Sequence, residues 1–363
     1  MSYSLIESEI LRNWTRGIFE KAGFSAQDAE LAADVLIKAD LRGIDSHGVA
    51  RLGGYLRLIE KNRINTRPQL KIVRQTATTA TLDADRAIGL VSAPAAMDIA
   101  INKAKEFGSG WVAIKNSNHF GIAAYHAMQA LEHDMIGFAV TNASPLVSPA
   151  LGAERMLGTN PICFAIPAGT EPSFVLDMAT SAASNGKLEI AERTGKAIPK
   201  GWLMKENGAE SENPSELKNG GMLLTLGSDM AHGSYKGYGL SAVVDVLSGV
   251  LGGANFGPWV PPFVAFLNPV ENQPGEGIGH FVGAWKIDGF REVSEFKNSM
   301  DLWIQRFRST KPLNDQHPVQ IPGDFEREEE KRRLKGGIPL VKAVCDNLQS
   351  IAQEFNLPLE INP

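Results

Sequence analysis

The spacing of hydrophobic residues changes twice along this chain, from helical to strand-like and back to helical. In the segment 25–41, apolar residues recur on one side of a predicted helix, which Ser25 can cap and Gly43 ends. A second helix is expected to begin at Asp45 or Ser46, either of which is a good N-cap. The fold must therefore combine helices from the start of the chain with a separate part rich in β-structure.

The middle of the chain alternates short β-rich runs with Gly, Pro and Asn. Helices are predicted at Ala95–Lys105, with Pro94 at the start, at Ala123–His133, and at Leu240–Leu251, before a loop rich in Pro and Gly that reaches Gly279. Some strands alternate with helices and others follow one another directly, so we predict an α/β unit with a mixed sheet. The predicted strands are Thr79–Leu82, Trp111–Ile114, Ile136–Thr141, Ile162–Ile166, Phe174–Met178 and Met222–Leu226.

The carboxyl-terminal part is again helical. Amphipathic helices are predicted at Phe296–Phe307 and Val341–Phe355, the second with Pro339 near its first turn. Between them, Glu326–Arg333 is a run of charges of mixed sign. Such a run most simply forms a solvated helix face.

Composition excludes several classes of protein. The 363 residues are 43% hydrophobic and 21% charged, which fits two or three structural units with a sizeable buried interior. A net charge of −5 and the lack of a basic stripe argue against nucleic acid as a partner. No run of about 18 apolar residues occurs, which argues against a membrane-spanning protein.

Cysteine usage and the first residues predict a cytoplasmic location. Cys163 and Cys345 are far apart, and each lies within an apolar run, as buried thiols do. The sequence starts without a basic region followed by an apolar stretch, so no secretory signal is expected. These features are typical of an intracellular protein in a reducing compartment.

Three polar side chains at helical spacing form the first candidate site. If the segment from Ser46 is helical, His47, Arg51 and Tyr55 lie on one face. An imidazole can exchange a proton with the hydroxyl of a 2-hydroxy acid, and a guanidinium can bind its carboxylate through two donors. On spacing alone, however, a merely solvated helix face is the favoured interpretation.

A second candidate is His119, within the segment Asn116–Gly121 between a predicted strand and a predicted helix. Turns of this kind often carry ligand sites, and backbone N–H groups near Gly121 could bind a pyrophosphate. A capping or core histidine is equally consistent with the sequence. His126 and His133 are expected to be ordinary surface or partly buried residues of the following helix.

The Gly-rich segment Ser234–Gly239 is a third, weaker candidate, with Lys236 placed to reach an anion. Asp177 at the end of a strand and the turn Pro322–Asp324 are weaker still. The chain has no GxGxxG fingerprint after a strand and no HExxH pair, so neither an ordinary dinucleotide fold nor a zinc site is predicted.

Short segments spread along the chain form a set that is specific in its order, although no segment is specific alone. The segments are Asp45–Arg51, Asn118–Gly121, Thr141–Asn142, Gly158–Pro161, Asp177–Ala179, Lys236–Gly237 and Pro322–Gly323. Together they resemble the type 2 malate/L-lactate dehydrogenase family, which includes ureidoglycolate dehydrogenase, 2,3-diketogulonate reductase, sulfolactate dehydrogenase and Δ1-piperideine-2-carboxylate reductase.

The resemblance implies an α/β fold that is not of the Rossmann type. A helical domain made from both chain ends, residues 1–75 and 295–363, would pack on a mixed-sheet unit, residues 76–294, that binds NAD(P) and substrate. It also implies a homodimer. The missing dinucleotide fingerprint is consistent with such a fold.

The resemblance further implies a set of site residues. His47 would donate and accept the proton, ahead of His119, which would lie beside the nicotinamide. Substrate contacts would come from Ser46, Arg51, Tyr55, Thr141 and Asn142. Cofactor contacts would come from Phe120, Gly121, Thr159, Asn160, Asp177, Met178, Ala179, Lys236, Gly237, Gly323 and Asp324. No metal is implied.

The chain departs from the family pattern at two positions, with Asp324 where Glu is frequent and Ala143 where a serine is frequent. The loop Pro258–Gly279 would form part of the substrate surroundings. The function implied is an oxidoreductase that moves a hydride between NAD, or alternatively NADP, and a small 2-hydroxy or 2-oxo acid of malate or L-lactate type. Reduction of a cyclic 2-imino acid is the alternative within this class, and a histidine-based lyase or hydrolase, or a non-catalytic binding protein, lies outside it.

Overall fold

The computed structural model describes residues 3–314 and 318–361. Within these ranges no helix is long and apolar enough to cross a bilayer. The helices are α1 (Ser8–Lys21), α2 (Ala26–Leu41), α3 (Leu52–Glu60), α4 (Gly89–Phe107), α5 (Ala123–Met128), α6 (Asn185–Arg193), α7 (Ser234–Asp245), α8 (Val293–Arg308), α9 (Asp324–Gly336) and α10 (Lys342–Glu354).

The strands form three sheets. A two-stranded, a three-stranded and a seven-stranded sheet have the orders β1-β12, β10-β8-β9 and β2-β3-β4-β11-β5-β6-β7. The strands are β1 (Tyr3–Ile6), β2 (Lys71–Gln75), β3 (Thr79–Asp83), β4 (Ser109–Ser117), β5 (Met135–Thr141), β6 (Ile162–Ile166), β7 (Phe174–Met178), β8 (Leu203–Met204), β9 (Glu210–Ser211), β10 (Met222–Leu223), β11 (Ile278–Lys286) and β12 (Ile338–Val341).

The two ends of the chain meet in one hydrophobic core. Apolar side chains of α1, α2 and α3 pack with those of α10, as Ile18, Leu36, Leu52 and Leu348 do, each without exposed surface. Strand β1 pairs with β12, so Pro339 lies in a strand and not near the first turn of α10. Ser25 caps α2 as predicted, by accepting a hydrogen bond from the Asp28 N–H (3.1 Å).

The seven-stranded sheet is mixed, as predicted, since only β3 and β4 run parallel. Its central strand, β11, was not predicted because Gly279 and Gly283 weaken the strand pattern. Both glycines are required by close contacts: a Cβ at Gly283 would lie 2.3 Å from the Trp111 ring, and one at Gly279 would lie 1.9 Å from the Ser248 carbonyl oxygen.

Helices α4 and α5 cover one face of the seven-stranded sheet with small side chains, among them Ala96, Ala100 and Ala127. Helix α4 begins at Gly89, so Pro94 lies inside it and not at its start. Helix α5 ends at Met128 and continues as a 3₁₀ turn to the residue before Asp134. The predicted helix there was therefore correct in place but too long.

The charged helix α9 packs against α2, so the prediction of a solvated face is only half correct. Glu330 forms ion pairs with Lys38 and Arg42, and the buried Arg333 donates to the Asp40 carbonyl oxygen (2.7 Å) and to Asp45. The exposed members of the run are Glu328, Lys331 and Arg332.

Helix α8 lies apart from that helical core. Its Ile304 packs with Ala168 and Ile321, and its Asp301 accepts hydrogen bonds from the Gly169 and Thr170 N–H groups (2.9 and 2.7 Å) in the turn between β6 and β7. The division into residues 1–75 with 295–363 and residues 76–294 stays a proposal. Cys163 and Cys345 are both buried and unpaired.

Candidate active site

The residues expected to start the second helix form a turn instead. Val49–Arg51 is a single 3₁₀ turn, and α3 follows it. The N-cap expected at Asp45 or Ser46 is therefore wrong. The buried Asp40 of α2 caps this turn, since its carboxylate accepts a hydrogen bond (2.8 Å) from the Val49 N–H.

The turn directs His47, Arg51 and Tyr55 inward. The Tyr55 side chain has no exposed surface, the Arg51 side chain is 15% exposed, and His47 is half-buried. The solvated face favoured by spacing alone is therefore wrong. The structure brings these three groups together at the junction of α3, β4 and α6.

His119 lies in the turn between β4 and α5, as predicted. Its Nδ1 accepts a hydrogen bond from the Gly121 N–H (3.3 Å) and lies 2.6 Å from the Tyr55 hydroxyl oxygen. An Nδ1 that accepts from an amide carries no proton, so Tyr55 donates to it. The hydrogen-bond network thus assigns the proton of the neutral ring to Nε2.

The rings of His47 and His119 stack, with centroids 5.7 Å apart. Ser46 Oγ lies 2.9 Å from His47 Nδ1. Burial and the charge of Arg51 lower the pKa of His47 to about 3, and burial with the charges of His47 and Arg51 lowers the pKa of His119 well below its ordinary value. Both shifts favour the neutral form of each ring in the unliganded protein.

Phe263 is a site residue that the sequence did not reveal. Its ring stacks on His119 (4.6 Å between centroids) and meets Tyr55 edge-on (5.0 Å). It lies in the loop 258–279, where composition gave no indication of which side chains face the site. The pair of prolines before Phe263, which fixes the backbone there, is the only local signal.

Glu189 is the second residue that was missed, because α6 was not predicted. Its carboxylate oxygens lie 3.4 and 3.2 Å from the two terminal nitrogens of Arg51. Asn185 Nδ2 donates to the same carboxylate (2.7 Å). The fork of the guanidinium is therefore occupied by a protein carboxylate.

Two clefts meet at this ion pair. One, of about 590 Å³, lies between α6 and the segment 339–346, and the other, of about 460 Å³, lies against Phe263. Arg51, Glu189 and Arg193 line both, whereas His47 and His119 line neither. Arg51 is thus the link between the stacked imidazoles and the open surface.

Thr141 and Asn142, predicted to bind substrate, make their hydrogen bonds to the protein. Thr141 Oγ1 lies 2.6 Å from His280 Nδ1 and donates to the Gly279 carbonyl (3.0 Å). Asn142 donates to the Asn255 carbonyl (2.7 Å) and accepts from the Gly279 N–H (3.1 Å). Both residues are buried, and these bonds fasten β5 to β11.

Thr159 and Asn160 lie in a loop that is bound to the carboxyl end of β7. The Thr180 N–H and hydroxyl donate to the carbonyls of Thr159 (2.9 Å) and Asn160 (2.9 Å). The buried Asn160 side chain accepts from the Ala143 N–H (3.2 Å) and donates to the Ser241 carbonyl (3.1 Å). Of this pair, only Thr159 keeps exposed side-chain surface.

Asp177 and Met178 end β7 beside the start of α5, and Ala179 follows directly. Asp177 Oδ2 accepts from the Ala124 N–H (2.8 Å), so this helix start already has a carboxylate partner. Burial raises the pKa of Asp177 to about 6. Phe120 is buried beside it, whereas Asp177, Met178 and Ala179 are each half-buried and form the accessible part of this cluster.

His126, expected at the surface or partly buried, is fully buried. Its Nε2 donates to the Phe120 carbonyl (2.8 Å), and burial lowers its pKa to about 4. Its ring also contacts the Phe120 ring at 4.7 Å between centroids. It is therefore a core residue that shapes the turn carrying His119.

Lys236 and Gly237 lie inside α7 and not before it, because the helix starts at Ser234. Lys236 is exposed, with Nζ 5.7 Å from the centroid of the Tyr235 ring. Gly237 packs on Leu226, where a Cβ would lie 2.2 Å from the backbone oxygen. At Gly237, the glycine of this pattern is needed because the helix packs closely on the backbone of Leu226.

Gly323 and Asp324 begin α9 next to β7, since the Pro322 carbonyl accepts from the Val175 N–H (3.0 Å). Asp324 is paired with Arg308 (2.7 Å) and with Arg327 (2.5 Å). Its carboxylate is thus already engaged by two guanidinium groups.

No cluster of His, Cys, Asp or Glu suited to a metal ion occurs among residues 3–314 and 318–361. The chain matches the model of the malate/L-lactate dehydrogenase family over residues 6–349. It is 41% identical over 357 residues to a malate dehydrogenase of Pyrococcus abyssi (98% of this chain, 96% of the relative) and 35% identical over 343 residues to an L-sulfolactate dehydrogenase of Methanocaldococcus jannaschii (94% and 95%).

The fold agrees with this assignment. The crystal structure of malate dehydrogenase from Entamoeba histolytica superposes with a TM-score of 0.92 at 32% identity, covering 99% of this chain and 100% of that one. The mixed sheet packed on helices from both chain ends, predicted from the resemblance, is confirmed. The chain belongs to the malate/L-lactate dehydrogenase family and is an oxidoreductase of small 2-hydroxy and 2-oxo acids.

Proposed function

We propose that this protein catalyses reversible, NAD-dependent hydride transfer between nicotinamide and the C2 carbon of malate and oxaloacetate. The observation that carries the proposal is the placement of the Arg51 guanidinium beside the stacked imidazoles of His47 and His119. A carboxylate receptor next to a proton-exchanging group is what a 2-oxo acid requires. Malate is preferred to L-lactate because two of the similar proteins are named malate dehydrogenases.

The residues at the end of β7 fit a dinucleotide. Asp177 is half-buried, and its Oδ1 makes no hydrogen bond within the described residues, so it is available to accept from a ribose hydroxyl. A carboxylate there also disfavours a 2′-phosphate, and on this ground NAD is proposed over NADP. Phe120, Gly121, Thr159 and the Met178–Ala179 strand end are proposed to complete the site, with Asn160, Lys236, Gly237, Gly323 and Asp324 as further predicted contacts.

The side chains divide the chemistry among them. A reduced nicotinamide, when bound at the end of β7, would supply the hydride that C2 of the oxo acid accepts. Arg51 binds the substrate carboxylate, and His47 transfers a proton to or from the C2 oxygen. His119, with its proton on Nε2 and its Nδ1 held by Tyr55, can donate a hydrogen bond to the same oxygen.

The remaining predicted contacts are proposed on the same basis. Ser46 positions the His47 ring, and Thr141 and Asn142 shape the wall of the site from β5. A cytoplasmic location is proposed from the two buried, unpaired thiols, Cys163 and Cys345. A homodimer is proposed from the exposed apolar side chains of α7 and of the turn after it, such as Val243 and Val250.

The test is loss of NADH or NADPH absorbance with a panel of acids: oxaloacetate, pyruvate, sulfopyruvate and a cyclic 2-imino acid. We expect the highest kcat/KM with NADH and oxaloacetate. A higher value with the imino acid would replace the proposal by the reductase alternative. No turnover of any acid, and no thermal protection by either dinucleotide, would favour a non-redox lyase or hydrolase.

A further inference from the structure

The carboxylate receptor of the proposed function is already filled from within the protein. Both terminal nitrogens of Arg51 face Glu189, at 3.4 and 3.2 Å. The two side chains are mostly buried, with 15% and 24% of their surface exposed. This forked arrangement is the one that a substrate carboxylate would adopt on a guanidinium.

Arg51 itself is fixed in place. Its Nε donates to the Ser46 carbonyl within the turn that also carries His47. A substrate carboxylate that reaches this guanidinium must therefore displace Glu189, since the guanidinium cannot turn to present another face without leaving the Ser46 carbonyl.

The displaced carboxylate has a second partner nearby. Arg193 lies one helical turn after Glu189 on α6 and lines the same two clefts. It makes no hydrogen bond or salt bridge to any residue in the described ranges, although its charge acts on Glu192. A Glu placed four residues before an Arg is well oriented to pair with it on a helix surface.

We propose that the Glu189 carboxylate takes the place of the substrate carboxylate on Arg51 in the empty protein. When the acid binds, the Glu189 side chain moves from Arg51 to Arg193. The proposal rests on the proposed function, because it takes Arg51 as the carboxylate receptor. Glu189 holds the guanidinium aimed at the site in the empty protein and lowers the affinity for every carboxylate. It is a gating residue that need not touch the reacting atoms.

The exchange predicts a split between KM and kcat. Glu189→Gln removes the competing charge, so KM for the oxo acid should fall about three- to tenfold, the range expected for a partly buried ion pair, with kcat nearly unchanged. Arg193→Gln removes the second partner and should raise KM about two- to threefold. In the Glu189→Gln background, Arg193→Gln should have no further effect.

The closing experiment uses calorimetry to measure how tightly the full-length protein binds oxamate, a small carboxylate. The measurement does not depend on turnover. Oxamate should bind Glu189→Gln and Glu189→Asp several-fold more tightly than the unaltered protein, since Asp is one methylene too short to hold Arg51. The matched control is Glu192→Gln on the same helix, whose carboxylate pairs with Lys218 (2.5 Å) and not with Arg51. Its affinity for oxamate should be unchanged.

The proposed displacement of Glu189 would be overturned if both Glu189 variants bound oxamate no more tightly than the unaltered protein, with melting temperatures that show them to be folded. A lowered kcat for Glu189→Gln would also overturn it, because Glu189 would then serve catalysis directly. If oxamate binding tightens as expected but no acid is reduced, the displacement of Glu189 is supported and the proposed redox activity is wrong. The two proposals therefore fail separately.

Discussion

At the residue scale, burial and the charge of Arg51 hold His47 in its neutral form, and burial likewise disfavours the protonated form of His119. A neutral imidazole is ready to accept the proton that leaves a hydroxy acid. The sequence predicted these histidines and Arg51 as candidate site residues, because the surrounding motif resembles the family, and the structure brings them together. The sequence could not reveal that Glu189 and Phe263 lie in the site, because such contacts are set by the tertiary fold. Glu189, for example, is 138 residues away from Arg51 along the chain.

Replacing His47 with Gln should lower kcat by roughly 10²–10⁴-fold, the usual contribution of a positioned acid or base. NADH affinity should change little, since His47 contacts Ser46 and His119 and none of the residues at the end of β7. Steady-state kinetics and NADH fluorescence titration measure the two effects. His232→Gln is the control, as His232 is exposed and pairs only with Asp229 in the described structure. If His119→Gln lowered kcat more than His47→Gln does, His119 would be the residue that transfers the proton.

The pH profile of malate oxidation should lack the usual histidine limb. Because the pKa of His47 is lowered from 6.5 to about 3, chiefly by burial, the free enzyme keeps an unprotonated base as the pH falls. At saturating NAD, so that protonation of Asp177 does not limit cofactor binding, the value of kcat/KM for malate should therefore stay within about twofold between pH 8 and about pH 5. A loss of about tenfold per pH unit below 6.5 would show an ordinary imidazole instead.

At the element scale, the site depends on how β11 sits between β4 and β5. The alternation of hydrophobic residues was sufficient to find β6 and β7 at their observed bounds and β5 to within one residue. The same criterion failed for β11, since its glycines are selected by the close approach of Trp111 and of the Ser248 carbonyl. Such contacts are not visible in a single sequence.

Gly283→Ala should destabilise the protein by about 1–3 kcal/mol, the effect of overpacking a core. The Trp111 ring that the new methyl meets is stacked on Phe281 (5.6 Å) and Trp285 (5.2 Å), so it can move aside only by disturbing these contacts. Thermal denaturation measures the change. Gly289→Ala, just after the same strand, has no atom within 4 Å of the new methyl and should be close to neutral. Equal melting temperatures for the two variants would contradict this packing.

At the scale of the whole molecule, a large apolar surface is covered by none of the residues that the structure describes. Apolar side chains are exposed along α7 and the π-helical turn after it, and aromatic rings on the nearby sheet face are only half-buried. An apolar area of this kind usually marks an interface. The exposed residues are Tyr235, Tyr238, Leu240, Val243, Val246, Val250 and Leu251, and the half-buried rings are Trp111, Phe138, Phe164, Phe281 and Trp285.

Val243→Glu should convert a dimer to a monomer, because it places a charge in the middle of this surface, at a residue that is 55% exposed in the single chain. Light scattering after size-exclusion chromatography measures the mass. Val270→Glu, at an exposed position in the loop 258–279, is the matched control and should leave the mass unchanged. A monomeric unaltered protein would refute the dimer, which the resemblance implied and the single chain does not test.

The most direct test of the central claim follows the hydride itself. NADH deuterated at both C4 positions is mixed with oxaloacetate and the protein, and the product is examined by NMR. Malate with deuterium at C2 is expected, with formation slowed at least tenfold in Arg51→Gln because the carboxylate loses its two donors. Malate without deuterium at C2, or no malate although the dinucleotide is bound, would contradict a 2-hydroxy acid dehydrogenase built on Arg51 and His47.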